Sequence, residues 1–266
     1  MRALAVLIAL LSASGVMAQD TSLRALTTAN DSKGWEAVGR LDIAGRAFCT
    51  GAMIAPDLVL TAAHCLYDRA SGALIDAGEI EFLAGWRNGR AAAYRGVRRA
   101  IAHPDYEFEG NDKVDRVAYD LALLELDHPI RLPSIHPFET DTRPRKGEDV
   151  GVVSYAFDRA EAPSLQEACR VLARQSGVLV LSCSVDFGSS GAPVFTIRDG
   201  VPRIVSVVSA KAEMHSEPVS LGAVIADPLD DLRALLAVPM VPLDAAPRVR
   251  RYGEGAPAGG AKFLRP

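Results

Sequence analysis

Short apolar segments, separated by glycine, proline or charged residues, dominate the middle of the chain. They are rich in Val, Ile and Leu, a composition typical of β-strands bounded by turns. Strands are predicted at 38–43, 47–54, 58–62, 96–102, 121–126, 149–157, 178–185, 193–197, 204–210 and 221–225. Many short strands at this spacing favour an all-β barrel or sandwich over alternating strand–helix units.

One segment near the C-terminus has helical rather than strand periodicity. Asp227 can cap a helix, Pro228 suits its first turn, and leucines then recur at helical spacing up to Leu236, which predicts a helix within 227–238. Several prolines at 133–147 predict a linker between two halves of the chain. Residues 239–266, rich in Gly, Ala, Pro and Arg, are expected to form a flexible tail.

The first 18 residues have the pattern of a secretory signal peptide. Arg2 precedes an apolar run over residues 3–11, and small residues before and at Ala18 suit cleavage after that position. The run is too short to span a bilayer, so no stable membrane anchor is expected after cleavage. A secreted or periplasmic location is expected, with residues 19–34 as a polar lead or pro-segment.

The composition excludes some classes of protein but does not by itself indicate a function. The 266 residues carry a net charge of −4, with 49% hydrophobic and 23% charged residues, which argues against wholesale disorder. This mild acidity gives no electrostatic case for nucleic acid as a partner. Four cysteines are too few for a small scaffold built from disulfides.

A histidine and a serine lie in settings that suit proton transfer and nucleophilic attack. His64 follows an apolar strand in the string T-A-A-H-C at 61–65, and an imidazole can accept and return a proton near neutral pH. Ser190 lies in the small-residue string G-S-S-G-A-P at 188–193, where a sharply turning backbone can bring amide groups to a reacting carbonyl. Taken singly, each also fits a structural role, as a histidine beside a structural cysteine and as an ordinary Gly/Ser turn.

A third candidate, Asp120, begins an apolar strand in the string D-L-A-L at 120–123. A buried carboxylate needs a partner, and an imidazole would supply one, although local backbone amides could do so as well. The three candidates occur in the order His, Asp, Ser, which is the order of chymotrypsin and differs from those of subtilisin and the α/β-hydrolases.

At these three motifs the sequence resembles the chymotrypsin-like (trypsin-like) serine peptidases. Residues 61–65 match the family's T-A-A-H-C, residues 120–123 match D-[IL]-A-L, and residues 188–193 are similar to G-D-S-G-G-P with two changes. The resemblance extends over about residues 35–238. It implies an all-β fold of two six-stranded antiparallel β-barrels, at 35–135 and 136–226, with a C-terminal helix and an active site between the barrels.

By the same resemblance, His64, Asp120 and Ser190 form the catalytic triad, and the backbone N–H groups of Gly188 and Ser190 form the oxyanion hole. The triad predicts acyl transfer through an acyl-enzyme on Ser190.

The resemblance also bears on the four cysteines. Cys49 and Cys65 match the family's disulfide beside the catalytic histidine. Cys169 and Cys183 are left as the second pair, at positions that do not match the commonest bridges of the animal enzymes. Two free thiols are the alternative, which an exported chain disfavours.

Ser189 stands where the family string has an aspartate. In the animal digestive enzymes that carboxylate receives a newly freed N-terminal ammonium group and orders the active site. The family's I-V-G-G terminus is also absent, because residues 35–40 read W-E-A-V-G-R. These features are similar to the bacterial trypsin-like and glutamyl-endopeptidase branch. They predict that a chain beginning at Gln19 reacts with an active-serine phosphonate probe without further N-terminal cleavage.

Alignment on the serine motif places four candidate residues at the primary specificity pocket. Ser184 aligns with its floor, where trypsin-type enzymes have aspartate, and Val208, Ser209 and Lys211 align with the opposite wall. Ser209 is also placed to hydrogen-bond Asp120. A serine at the floor does not predict a preference for Arg or Lys, and Lys211 fits either attraction of an acidic side chain or a solvated surface position.

The expected function is therefore a secreted or periplasmic serine endopeptidase, with a catalytically silent, protease-like binding protein as the alternative. Polypeptide substrates are the expected partners, without nucleic acid, and a monomer is expected. No cofactor is expected. The remaining histidines show no metal-ligand spacing, so no metal site is predicted either.

Overall fold

A computed structural model describes residues 22–110, 113–141 and 144–239 of the chain. The signal peptide predicted at 1–18 lies outside these ranges, as does the tail predicted at 239–266 apart from Pro239. Within the three ranges, no helix has both the length and the apolar character needed to cross a membrane.

The first half of the chain closes a β-barrel. In chain order its elements are β1 (Arg24–Ala25), β2 (Val38–Ile43), β3 (Ala47–Ala55), β4 (Leu58–Thr61), β5 (Ile80–Ala84), β6 (Ala93–Ala102), α1 (Lys113–Ala118) and β7 (Ala122–Leu126). The barrel strands pair in the order β2–β3–β4–β7–β6–β5, and all neighbours are antiparallel. Several of these strands carry runs of buried residues, and Leu41, Met53, Phe82 and Leu123 are among the buried side chains. Short 3-10 turns lie at Ala63–Leu66 and Ala77–Glu79.

The second half forms a larger sheet around a separate apolar core that includes Val152, Val171, Leu181 and Val194. Its elements are β8 (Glu139–Thr140), β9 (Asp149–Ala156), β10 (Arg159–Gln175), β11 (Val178–Leu181), β12 (Pro193–Arg198), β13 (Val201–Met214), β14 (Glu217–Val224) and α2 (Ala226–Ala237). Antiparallel pairings run β9–β10–β11–β14–β13–β12 and return to β9, while β1 and β8 join at β10 and β13. The predicted all-β class, with its barrels and C-terminal helix, is confirmed.

The C-terminal helix packs back on the first barrel. Leu229 and Leu232 are buried along one face of α2. At its end, the guanidinium of Arg99 on β6 donates hydrogen bonds to the carbonyl oxygens of Leu235, Leu236 and Val238 at 2.8–3.0 Å. The guanidinium thus caps the C-terminal end of α2, where Leu235 O also accepts a hydrogen bond from the backbone N–H of Val238 at 3.3 Å.

Candidate active site

The end of β4 carries His64 into the space between the two sheets. β4 ends at Thr61, and the chain turns at once through Ala63–Leu66. A disulfide between Cys49 and Cys65 ties this turn to β3. His64 is therefore held by a buried strand on one side and a covalent bond on the other, and its side chain is 15% exposed.

Asp120 lies between α1 and β7, and its carboxylate is almost fully buried. It accepts a hydrogen bond from the backbone N–H of His64 to Oδ1 at 2.8 Å, and its Oδ2 lies 2.7 Å from His64 Nδ1. The hydroxyl of Ser209, which comes from β13 of the second sheet, donates to the same Oδ2. Three donors thus compensate the buried charge, and two of them fix the orientation of the imidazole.

Ser190 lies in a loop whose backbone only glycine can follow. Gly188 and Gly191 have φ angles of +95° and +78°. A Cβ on Gly188 would lie 2.7 Å from Cζ of Phe48, and one on Gly191 would overlap the carbonyl oxygen of Thr50. Thr50 on β3 fastens the loop, because its N–H donates to Ser190 O at 2.8 Å and its hydroxyl to Gly188 O at 2.9 Å.

The N–H groups of Gly188 and Ser190 donate to no other residue within the described ranges. The neighbouring amides are occupied, since Ser189 N donates to Asp186 O and Gly191 N donates to Val208 O. A loop that leaves two backbone donors free beside a candidate nucleophile has the form of an oxyanion-binding site.

The candidate triad lines one cleft of about 720 Å³ between the two sheets, with His64, Asp120 and Ser190 all on its wall. A second hollow of about 410 Å³ continues from His64 past Phe48 and the Cys49–Cys65 disulfide. His64 lines both hollows, while Ser190 lines the first and Gly188 the second.

Cationic side chains surround this cleft. Arg69, Arg116 and Lys211 lie on its wall together with the carboxylate of Asp186. Lys211 Nζ lies 2.7 Å from Asp186 Oδ1. This hydrogen bond, followed by one from the backbone of Phe187, holds the pKa of the Asp186 carboxyl below its usual range.

Tyr106 also lines the cleft. Burial, and secondarily the nearby Asp120 charge, raises the pKa of the Tyr106 hydroxyl.

Three of the four predicted specificity residues, Val208, Ser209 and Lys211, line the cleft. Ser184 is not among the lining residues, and it is exposed. Its backbone N–H donates to Gln166 Oε1 at 2.8 Å. Val185 and Asp186 reach the cleft from this segment instead.

Within the described part of the chain, Cys49, His64 and Cys65 form the one close cluster of side chains with metal-ligand atoms. The two sulfur atoms are bonded to each other, so neither is free to bind a metal. A second disulfide joins Cys169 to Cys183, N-terminal to the loop that carries Ser190.

The sequence pattern did not identify Arg116 or Arg159. Arg116 reaches the cleft on α1, a six-residue helix without a long apolar period. Arg159 is the first residue of β10, and its guanidinium lies behind the loop that carries Ser190, 3.4 Å from Ser189 Oγ. The pairing of β9 with β10 brings Arg159 to that position, and a lone arginine carries no sequence signal of it.

The sequence matches the family described as the trypsin-like peptidase domain over residues 49–202. It is similar to the glutamyl endopeptidase of Bacillus licheniformis, with 29% identity over 148 residues, 55% of this chain and 45% of that protein. It is also similar to the trypsin of Simulium vittatum, with 39% identity over 82 residues, 31% of this chain and 28% of that protein. The chain thus covers less than half the length of these two relatives.

A solved structure, described as a Glu endopeptidase in complex with MPD, superposes with a TM-score of 0.67. The superposition covers 84% of this chain and 100% of that one at 18% sequence identity. The two proteins therefore share a fold.

Proposed function

Because the chain belongs to the trypsin-like peptidase family, we propose that it is a serine endopeptidase that cleaves polypeptides through His64, Asp120 and Ser190. The observation that carries this proposal is the double contact of Asp120 with His64, to the backbone N–H and to Nδ1, in a cleft that Ser190 also lines. Such a contact favours the tautomer in which Nε2 is free to accept a proton.

In the proposed reaction, His64 Nε2 accepts the proton of Ser190 Oγ as this oxygen attacks the scissile carbonyl carbon. The carbonyl oxygen becomes an oxyanion, which the N–H groups of Gly188 and Ser190 bind. His64 then gives the proton to the leaving amine, the C–N bond breaks, and an ester remains on Ser190. Water, deprotonated by His64, hydrolyses this ester and restores the enzyme. Asp120 stabilises the imidazolium in both steps.

The charges of the cleft support acidic rather than basic side chains in the substrate. Asp120 is engaged by His64, so Arg69, Arg116 and Lys211 are opposed mainly by Asp186. A cleft whose lining carries an excess of positive charge raises the local concentration of anionic ligands. Two of the similar proteins are glutamyl endopeptidases by name. In a peptide library, Glu or Asp at the cleaved position should be favoured over Lys or Arg, and a strong Arg/Lys preference would contradict this part.

An exported location fits the same proposal. Residues 1–18 have the signal-peptide pattern. The disulfides Cys49–Cys65 and Cys169–Cys183 would persist in an oxidising compartment. Fractionation of producing cells, followed by N-terminal sequencing of the exported chain, tests both the location and cleavage after Ala18.

The decisive experiment is labelling of the chain that begins at Gln19 by a fluorophosphonate probe that reacts with activated serines. We expect labelling of the wild type, none of Ser190→Ala, and full labelling of Ser134→Ala, which removes an exposed serine away from the cleft. Peptide cleavage should follow the same order. A folded wild type that neither reacts nor cleaves would instead support the catalytically silent binding protein.

A further inference from the structure

A guanidinium group lies in the interior directly behind the loop that carries Ser190. Arg159 is the first residue of β10, and its side chain is 14% exposed. Nη1 donates to Ser154 O at 2.8 Å and to Ser154 Oγ at 3.1 Å. Nη2 donates to Ser189 Oγ at 3.4 Å. Arg159 therefore links the strand β9 to the residue between Gly188 and Ser190.

The Ser189 hydroxyl is the centre of this contact, and Ser189 is fully buried. Its Oγ lies 3.1 Å from Tyr155 O, to which it can donate, and 3.3 Å from Ser154 Oγ. It accepts a hydrogen bond from Asp186 N at 3.2 Å as well as the one from Arg159. One proton and two lone pairs are thus all used, which fixes Ser189 against β9.

Burial imposes a desolvation penalty on this guanidinium group. Burial is the main cause that lowers the pKa of Arg159, while the charges of Asp158 and Asp186 raise it. The facing carboxylate, Asp158 Oδ1, lies 3.7 Å from Nε, and its side chain is 74% exposed. A well-packed apolar side chain would avoid this desolvation penalty, so the buried cation is better explained by the geometry that it imposes.

We propose that Arg159 is a positioning residue for the oxyanion hole: it holds Ser189, and through it the N–H groups of Gly188 and Ser190, in the orientation that binds the oxyanion. The cation is Arg159 of the chain itself, and it binds the uncharged oxygen atoms of Ser154 and Ser189. The loop is therefore ordered without a free N-terminal ammonium group and without a carboxylate at position 189. This inference rests on the proposed function, because it concerns how the same site becomes competent.

The test compares Arg159→Gln with Arg99→Gln. Arg99 also donates to three groups of the protein, but these are at the end of α2, away from the cleft. Loss of an oxyanion-hole donor lowers kcat by about 100- to 1,000-fold, so a misplaced donor in Arg159→Gln should lower kcat by roughly 10- to 100-fold with KM changed less than about threefold. Arg99→Gln should lower the melting temperature and leave kcat per folded molecule unchanged.

Two further measurements separate positioning from folding. Guanidinium ion at millimolar concentration should restore part of the kcat of Arg159→Ala. Arg159→Lys keeps the charge but loses the two-pronged donor geometry of the guanidinium, so its kcat should lie between those of Arg159→Gln and the wild type. Adding residues before Gln19 removes any specific N-terminal ammonium and should leave kcat unchanged.

The outcomes distinguish this inference from the proposed function. A wild type without Ser190-dependent labelling refutes the proposed function itself. If the wild type reacts, any one of three results overturns the inference and leaves the peptidase assignment intact. These are a wild-type kcat in Arg159→Gln, absence of rescue by guanidinium, and loss of activity on N-terminal extension. If Arg159→Gln does not fold, Arg159→Lys and the guanidinium rescue decide.

Discussion

Replacing Gly188 with alanine tests whether the loop that is proposed to bind the oxyanion depends on a glycine at this position. Gly188 has a φ of +95°, which L-residues with a Cβ rarely adopt. The new methyl group would lie 2.7 Å from Cζ of Phe48 and 3.1 Å from Cα of Ala156. Both distances are shorter than the van der Waals contact of two carbon atoms.

The expected loss of stability has two parts. Backbone strain at a positive φ contributes about 1–2 kcal/mol. Overpacking against the Phe48 ring adds about 1–3 kcal/mol, so the free energy of unfolding should fall by about 2–5 kcal/mol. For a protein of this size, each kcal/mol corresponds to about 2–4 °C in the melting temperature. Because the strained loop would turn the Gly188 N–H away from the oxyanion, kcat should fall by about 100- to 1,000-fold.

A double-mutant cycle in urea unfolding separates the two parts. A Phe48→Ala background removes the overlap with the ring, so Gly188→Ala should be less destabilising there by about 1–3 kcal/mol. Gly200→Ala is the matched control, because Gly200 has a φ of +78° and nothing lies within 4 Å of its added Cβ. The reasoning fails if Gly188→Ala is no more destabilising than Gly200→Ala, if Phe48→Ala brings no relief, or if kcat is unchanged.

Three further changes have defined outcomes. Asp120→Asn should lower kcat by about 10,000-fold at pH 7, measured on a peptide substrate, because the amide favours the wrong imidazole tautomer; a loss below tenfold would contradict the assigned role. Replacing Cys49 and Cys65 together by alanine opens a disulfide with a sequence separation of 16, and should lower the free energy of unfolding in urea by about 3 kcal/mol. Lys211→Ala should raise the pKa of the Asp186 carboxyl, followed by NMR titration, because the hydrogen bond from Lys211 is the main cause of its lowered value. The Lys211–Asp186 pair should therefore survive where an ordinary aspartate begins to protonate and be lost as the pH falls through the lowered pKa, and an unchanged titration in Lys211→Ala would count against it.

Sequence patterns predicted those elements whose apolar residues recur regularly. The predicted strand 38–43 has the same bounds as β2. The helix predicted within 227–238 corresponds to α2, which begins one residue earlier at Ala226 and whose leucines recur at helical spacing. The longest strand, β10, was not predicted. It contains Pro163 and several charged residues, and its pairing with β9 is interrupted by register shifts that break the alternation. Tertiary pairing rather than local propensity forms such a strand.

The candidate site likewise contains some residues that the sequence predicts and others that it does not. His64, Asp120 and Ser190 each lie in a short motif, and the fold brings all three to one cleft. Ser184 was selected by its distance along the chain from Ser190, and the loop between them directs other residues into the cleft. Arg159 could not be selected at all, because its partners lie 5 and 30 residues away on a neighbouring strand and loop.

The contacts that shape the site cross between the two sheets. Thr50 of the first barrel holds the backbone of Ser190, and Ser209 of the second sheet holds Asp120 of the first. Under the proposed function, neither half alone contains a complete set of reacting groups. Two fragments cut in the connection between β7 and β9 would then each lack peptidase activity, and activity would return only when the fragments associate. The split protein would thus act as a complementation reporter, in which peptidase activity reports the association of two partners fused to the two halves.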